Sequence, residues 1–137
     1  MYQLELTTEQ AKVVIAALDA YSRIHMGQIG IVAEIMTEGS YDSEDLADVR
    51  GLCSDIKEAV GLPTNGSYGI FHPKVPPQAK VSWDIVCVLR QVVARAENHG
   101  SHSVWHQDPM HCEKSVPLAK CRFEDQPDLD MGTQNIS

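Results

Sequence analysis

The sequence predicts a helix-dominated α+β fold: three or four helices with a small antiparallel sheet formed by an N-terminal strand and C-terminal segments. Three observations carry this. Apolar residues recur at steps of three and four along three long stretches, as on one face of a helix. Tyr2, Leu4 and Leu6 alternate with Gln3, Glu5 and Thr7, the period of a half-buried strand. Beyond Gly100, short strand-like pieces follow at Val104 to His106 and Val116 to Phe123. With 137 residues, 43% hydrophobic and 22% charged, residues 1–123 are expected to form one globular domain.

The elements follow in order. Thr7 offers an N-cap oxygen and Gln10 stands three positions on, so a capping box opens the first helix. Its stripe runs Ala11, Val14, Leu18, Tyr21 and Ile24. Gly27 and Gly30 then allow either a kinked long helix or two helices meeting at residues 26–30, with Ile31, Val32, Ile35 and Met36 as the second stripe. Glu38 to Ser43 reads as a turn. Leu46, Val49, Cys53, Ile56 and Val60 mark the next helix, which Gly61 and Pro63 stop. Residues 62–77 form a long loop, and loops of that length inside a domain are commonly functional. Pro76 or Pro77 suits the first turn of the last helix, with Val81, Ile85, Val88, Leu89, Val92 and Ala96 on one face and Trp83, Cys87 and Arg90 on a second.

Charge and composition narrow the function. The net charge is −8, and Glu124, Asp125, Asp128 and Asp130 place half of it in an acidic tail, residues 124–137, expected to be disordered. An acidic chain without a Lys/Arg cluster disfavours nucleic acid as a partner. No run reaches the ~20 apolar residues of a membrane span, and the N-terminus lacks a signal-peptide pattern, so a cytoplasmic protein with no membrane partner is expected. Cys53, Cys87, Cys112 and Cys121 are scattered and read as structural thiols rather than disulfides.

The motifs for chemistry are sparse. P-loop, dinucleotide and nucleophile-elbow signatures are missing, and no cofactor or catalytic residue is assigned. His102, His106, His111 and Cys112 have spacings that three Zn²⁺ ligands can use, but without a paired-ligand unit, so no metal site is assigned. A set of polar and aromatic residues stands out near helix ends and in the loop: Tyr21, Arg23, His25, Gln28, Asn65, Ser67, Tyr68, His72, Lys74, Trp83 and Arg90. Tyr21 and Trp83 suit stacking on a planar ring. Arg23 and Arg90 suit bidentate capture of phosphate or carboxylate, although pairing with an acid such as Asp19 or Asp84 is the commoner fate of a helix arginine.

Four blocks of the chain also resemble a small uncharacterised protein family of bacteriophage and prophage genomes. They are Leu18-Asp-Ala-Tyr-Ser-Arg-Ile-His-Met-Gly-Gln28, Asn65-Gly-Ser-Tyr-Gly-Ile70, Val75-Pro-Pro-Gln-Ala-Lys-Val-Ser-Trp-Asp-Ile85 with Arg90, and Pro109-Met110 followed by Lys114-Ser-Val-Pro-Leu-Ala-Lys120. The resemblance covers about residues 4 to 121 and implies a phage accessory protein, with no catalytic residue to carry over. The histidine-rich stretch His99 to His111 and the acidic tail depart from that pattern.

Together these readings give an expected non-enzymatic, anti-defence binding protein, a homo-oligomer that sequesters an anionic, nucleotide-derived small molecule without turnover. Tyr21, Arg23, His25, Gln28, Asn65, Ser67, Tyr68, Trp83 and Arg90 would hold that molecule. The alternative is an inhibitor whose acidic stretch, Glu38 to Glu58 with seven acids against Arg50 and Lys57, docks on a basic host protein or mimics DNA. A third reading, an enzyme degrading a nucleotide signal, would have His25 and His72 as its candidate bases.

Overall fold

The computed structural model describes residues 1–37, 43–97 and 108–124. Its helices are α1 (Thr8–His25), α2 (Gly30–Met36), α3 (Ser43–Ala59) and α4 (Pro77–Ala96).

Local signals set the helix ends. The Gln10 amide donates to Thr7 Oγ1 at 3.2 Å and the Thr7 amide to Gln10 Oε1 at 2.9 Å, closing the capping box of α1. At the other end Gly27 takes φ +88°, a left-handed conformation that turns the chain out of α1 and separates it from α2. Of the two alternatives at residues 26–30, the structure takes two helices. Gly61, at φ +76°, ends α3, where the Leu62 amide reaches back to the Lys57 carbonyl at 2.9 Å. Pro77 occupies the first turn of α4 after an extended Pro76.

The expected sheet is not there. Residues 1–7 and 116–123 form no strand, and no strand occurs among the described residues; Val104 to His106 lies outside them. The fold is therefore helical rather than α+β in the part described. Alternation in Tyr2, Leu4 and Leu6 marks a segment able to pair, but a strand needs a neighbour, and an isolated two-stranded ribbon is at best marginal. The C-terminal piece cannot serve, because Pro117 lacks a donor and residues 108–124 are tied to α4 in an irregular course.

Packing centres on α1 against α4. Ser22 and Ala79 are fully buried where the helices meet, and small side chains there let the backbones approach. The Ser22 hydroxyl is shared between the Leu18 and Ala79 carbonyls at 3.1 Å each, and the Ser82 hydroxyl donates to the Leu18 carbonyl at 2.8 Å. Met26, Val75 and Ala79 continue this contact into a core patch that Tyr68, Ile70 and Trp83 cover. A second patch, Ile29, Ala33 and Cys53, joins α2 to α3, with Val32, Leu46, Val49 and Leu62 around it. Among the helices, α3 packs on α2 alone. Its predicted stripe is accordingly covered only in part: Cys53 is buried, whereas Ile56 and Val60 are exposed. On α4 burial runs round the helix, taking in Val86, Val88 and Val92 and also Ser82, Asp84 and Gln91.

Lengthening Ala79 tests the crossing. Ala79→Leu should destabilise the fold by about 2 kcal/mol or more, read as a lower midpoint in chemical denaturation, because Ala79 is fully buried where α4 meets Ser22 of α1 and the added carbons must push the helices apart. An unchanged midpoint would mean that the helices are not in close contact there.

Candidate functional site

The candidate site grows from Asp19, a nearly buried carboxylate less than two turns before the C-terminal end of α1. Arg23, four residues on and so on the same helix face, donates from Nε to Asp19 Oδ2 at 2.8 Å. Arg90 of α4 donates from Nη2 to Asp19 Oδ1 at 3.2 Å. One carboxylate thus holds two guanidinium groups from the two crossing helices. Arg23 Nη1 also donates to Gln28 Oε1 at 2.7 Å, across the Gly27 turn, and Gln28 Nε2 reaches the Ser67 hydroxyl at a long 3.5 Å. The Arg23 guanidinium lies 5.6 Å from the centre of the Trp83 ring, within cation–π range.

Next to this network opens a cleft of about 460 Å³ lined by Asp19, Arg23, Gln28, Gly30, Ile31 and Glu34. That volume falls within the range of about 300–1,000 Å³ in which small molecules bind. The Arg23 side chain keeps 32% of its exposure and that of Arg90 47%. Both therefore retain N–H donors toward solvent while Asp19 fixes their position.

The sequence-selected residues separate into groups. Arg23, Gln28, Ser67, Trp83 and Arg90 are joined by the contacts above. Tyr21 and His25 pair edge-to-face at 4.7 Å. Residues two apart lie about 200° apart around a helix, so Tyr21 and Arg23 point to different sides of α1. Tyr68 stacks on His72 at 4.3 Å, with the Lys74 ammonium 5.9 Å from its ring, and its amide donates to the Met26 carbonyl at 2.7 Å. Tyr68 therefore serves to dock the loop on α1. Asn65 is exposed at the loop surface, and neither His25 nor His72 lines the cleft. Asp19, Gly30, Ile31 and Glu34 are the lining residues that the sequence did not single out as ligand contacts. An acid four residues before an arginine was the available signal for Asp19.

Asp84, the other acid considered as an arginine partner, does something else. Buried on α4, it accepts the backbone amides of Cys112 at 2.6 Å and Glu113 at 3.0 Å. Together with the Trp83 indole N–H, which meets Met110 Sδ at 3.2 Å, it straps residues 108–124 to α4. Burial and the neighbouring Asp84 carboxylate push the Cys112 thiol up to about 12, and burial raises Cys87 and Cys121 as well. All four cysteines are free thiols. His111 Nε2 lies 2.8 Å from the Val116 carbonyl, while His102 and His106 fall outside the described residues. Among the described residues no three His, Cys, Asp or Glu side chains gather to hold a metal, and no helix is long and apolar enough to cross a membrane.

Comparison of the chain with protein-family models, with curated proteins and with solved structures finds no match in any of the three.

Two measurements probe these contacts. In double-mutant cycles, Asp19–Arg23 should couple by about 1 kcal/mol and Asp19–Arg90 by less, since Arg90 is longer in reach and more exposed; equal or vanishing couplings would contradict the network. Cys112 stays protonated through neutral and mildly alkaline pH, so its alkylation at pH 8 should be far slower than that of an ordinary cysteine and should climb only toward pH 12. Asp84→Asn removes the carboxylate that disfavours the thiolate, so alkylation should speed up; an unchanged rate would leave burial as the sole cause.

Proposed function

We propose that this chain is a non-enzymatic binding protein that takes an anionic, nucleotide-derived small molecule at the cleft beside Arg23 and holds it without turnover. The observation that carries the reading is the pair of guanidinium groups that Asp19 presents, still part-exposed, next to an open cleft. An arginine already fixed by a carboxylate loses little side-chain freedom when it captures a phosphate with its outward N–H groups. Gln28 adds an amide, and Ile31 adds apolar surface for a ring. The accessory role in phage biology, and the host cytoplasm as its setting, rest on the resemblance of the four sequence blocks. Of the sequence-selected residues only Arg23 and Gln28 line the cleft; Arg90 is held beside it through Asp19, Ser67 and Trp83 touch Gln28 and Arg23 from behind, and Tyr21, His25, Asn65 and Tyr68 stand apart, so the binding role concentrates on Arg23 and Gln28 with Arg90 at the margin.

A second reading has its own support. On α3 the exposed Leu52 and Ile56 lie along one side, continued by the exposed Val60 just past the helix end, with exposed Asp48 and Asp55 flanking them. An apolar stripe with an acidic border suits a basic amphipathic segment of another protein.

A thermal-shift series separates the two. Cyclic dinucleotides and cyclic ADP-ribose isomers are added to the purified chain, since a molecule bound by the native state alone raises its apparent stability. A rise of several degrees is expected with one of them, at a fixed molar ratio, with the nucleotide recovered intact after denaturation. Arg90→Ala should abolish the rise while shifting the ligand-free midpoint little. No rise with any of these nucleotides would turn the assignment to the α3 surface, and turnover would make the chain an enzyme.

A further inference from the structure

The cleft beside Arg23 holds an acid that the arginines do not use. Asp19 is fully engaged, Oδ2 accepting from Arg23 and Oδ1 from Arg90. Glu34 also lines the cleft, but it lies exposed, and its carboxylate has no hydrogen bond or ion pair with any described residue. It stands four residues after Gly30 on α2, so the two share a helix face and both border the opening. We infer that Glu34 selects what the cleft admits, and that the molecule held there carries guanine. The inference rests on the cleft being the binding site.

Charge sets the first requirement. A purely anionic ligand would satisfy the arginines but set its charge against Glu34, and a cation would satisfy Glu34 but face two guanidinium groups. A ligand that suits both has an anionic end and, apart from it, a neutral group with hydrogen-bond donors. An ionised carboxylate only accepts, and its two oxygens pair best with two parallel N–H groups. Among the common nucleobases guanine alone offers that pair, N1–H and the N2 amino group on its Watson–Crick edge. Adenine and cytosine set an acceptor nitrogen beside their amino group, and uracil has one N–H between two carbonyls. Each of these would turn a lone pair toward Glu34.

The rest of the lining fits the same base. Gln28 Oε1 is held by Arg23 Nη1 at 2.7 Å, which leaves Nε2, at a long 3.5 Å from the Ser67 hydroxyl, as a donor for guanine O6. Ile31 is half-buried and gives apolar surface for the ring. At Gly30 a Cβ would meet nothing within 4 Å, so the cleft is open there. The phosphate falls to the outward N–H groups of Arg23, with Arg90 at the margin.

Calorimetric titration of the full chain with GMP, IMP and AMP, which share ribose and phosphate, reads the base alone. GMP should bind about tenfold or more tighter than AMP, as a bidentate base contact allows. IMP, which lacks the N2 amino group, should fall between them, and cyclic di-GMP should exceed cyclic di-AMP likewise. Glu34→Gln keeps the side-chain size but offers one donor and one acceptor, the pattern that adenine N1 and N6 match, so it should reverse the preference toward AMP with unchanged helical circular dichroism. Gly30→Leu, which fills the cleft, should weaken all five. Equal affinity for GMP and AMP, or a preference that Glu34→Gln leaves unaltered, would overturn the guanine assignment and leave the binding reading standing. Binding of none of the five, or binding undiminished by Gly30→Leu, would overturn both.

Discussion

The direct contact between α1 and α4 is the constraint on which the rest of the arrangement depends. A fully buried serine and a fully buried alanine leave no side-chain layer between the helices, and two hydroxyls bond to main-chain carbonyls across the gap. Each hydroxyl buried in this way has an acceptor, which keeps its desolvation from counting against the fold. That closeness brings Arg90 of one helix within reach of Asp19 on the other. It also lays Trp83 under Arg23, so the cleft and the crossing are one construction.

Features encoded within a few residues were legible in the sequence. The Thr7–Gln10 capping box, the stop at Gly61 and a start at Pro76 or Pro77 each depend on a single turn of chain and are found where the residues place them, whereas at Gly27 the residues left a kinked helix and two helices open and the structure takes the second. What depended on distant partners was not legible. Tyr2, Leu4 and Leu6 show the alternation of a strand, yet alternation states only that one side is apolar and supplies no neighbour. Ser22, Ser82, Asp19 and Asp84 belong to residue types that usually face solvent, and their burial follows from acceptors and donors brought in by other segments.

The candidate site was legible to a similar degree. Arg23 and Gln28 fell together because the Gly27 turn folds position 28 back on position 23. Arg90 joined them through Asp19, as the commoner fate of a helix arginine suggests. Tyr21 did not, since two steps along a helix carry a side chain to the other side. The loop residues divided likewise: Ser67 approaches Gln28, whereas Tyr68 is spent on packing against Met26, Val75 and Ala79. Apolar residues left outside on α1 and α3 are as informative as those inside, because the ten buried hydrophobic residues among those described leave much apolar surface exposed.

The α1–α4 contact is tested most directly by nuclear Overhauser effects in solution. The account predicts strong effects between the Ala79 methyl group and Ser22, together with effects between the Trp83 indole and the Arg23 side chain. Absence of the Ala79–Ser22 effect in a folded chain would contradict it, since the helices would then be held apart and Asp19 could not gather both arginines.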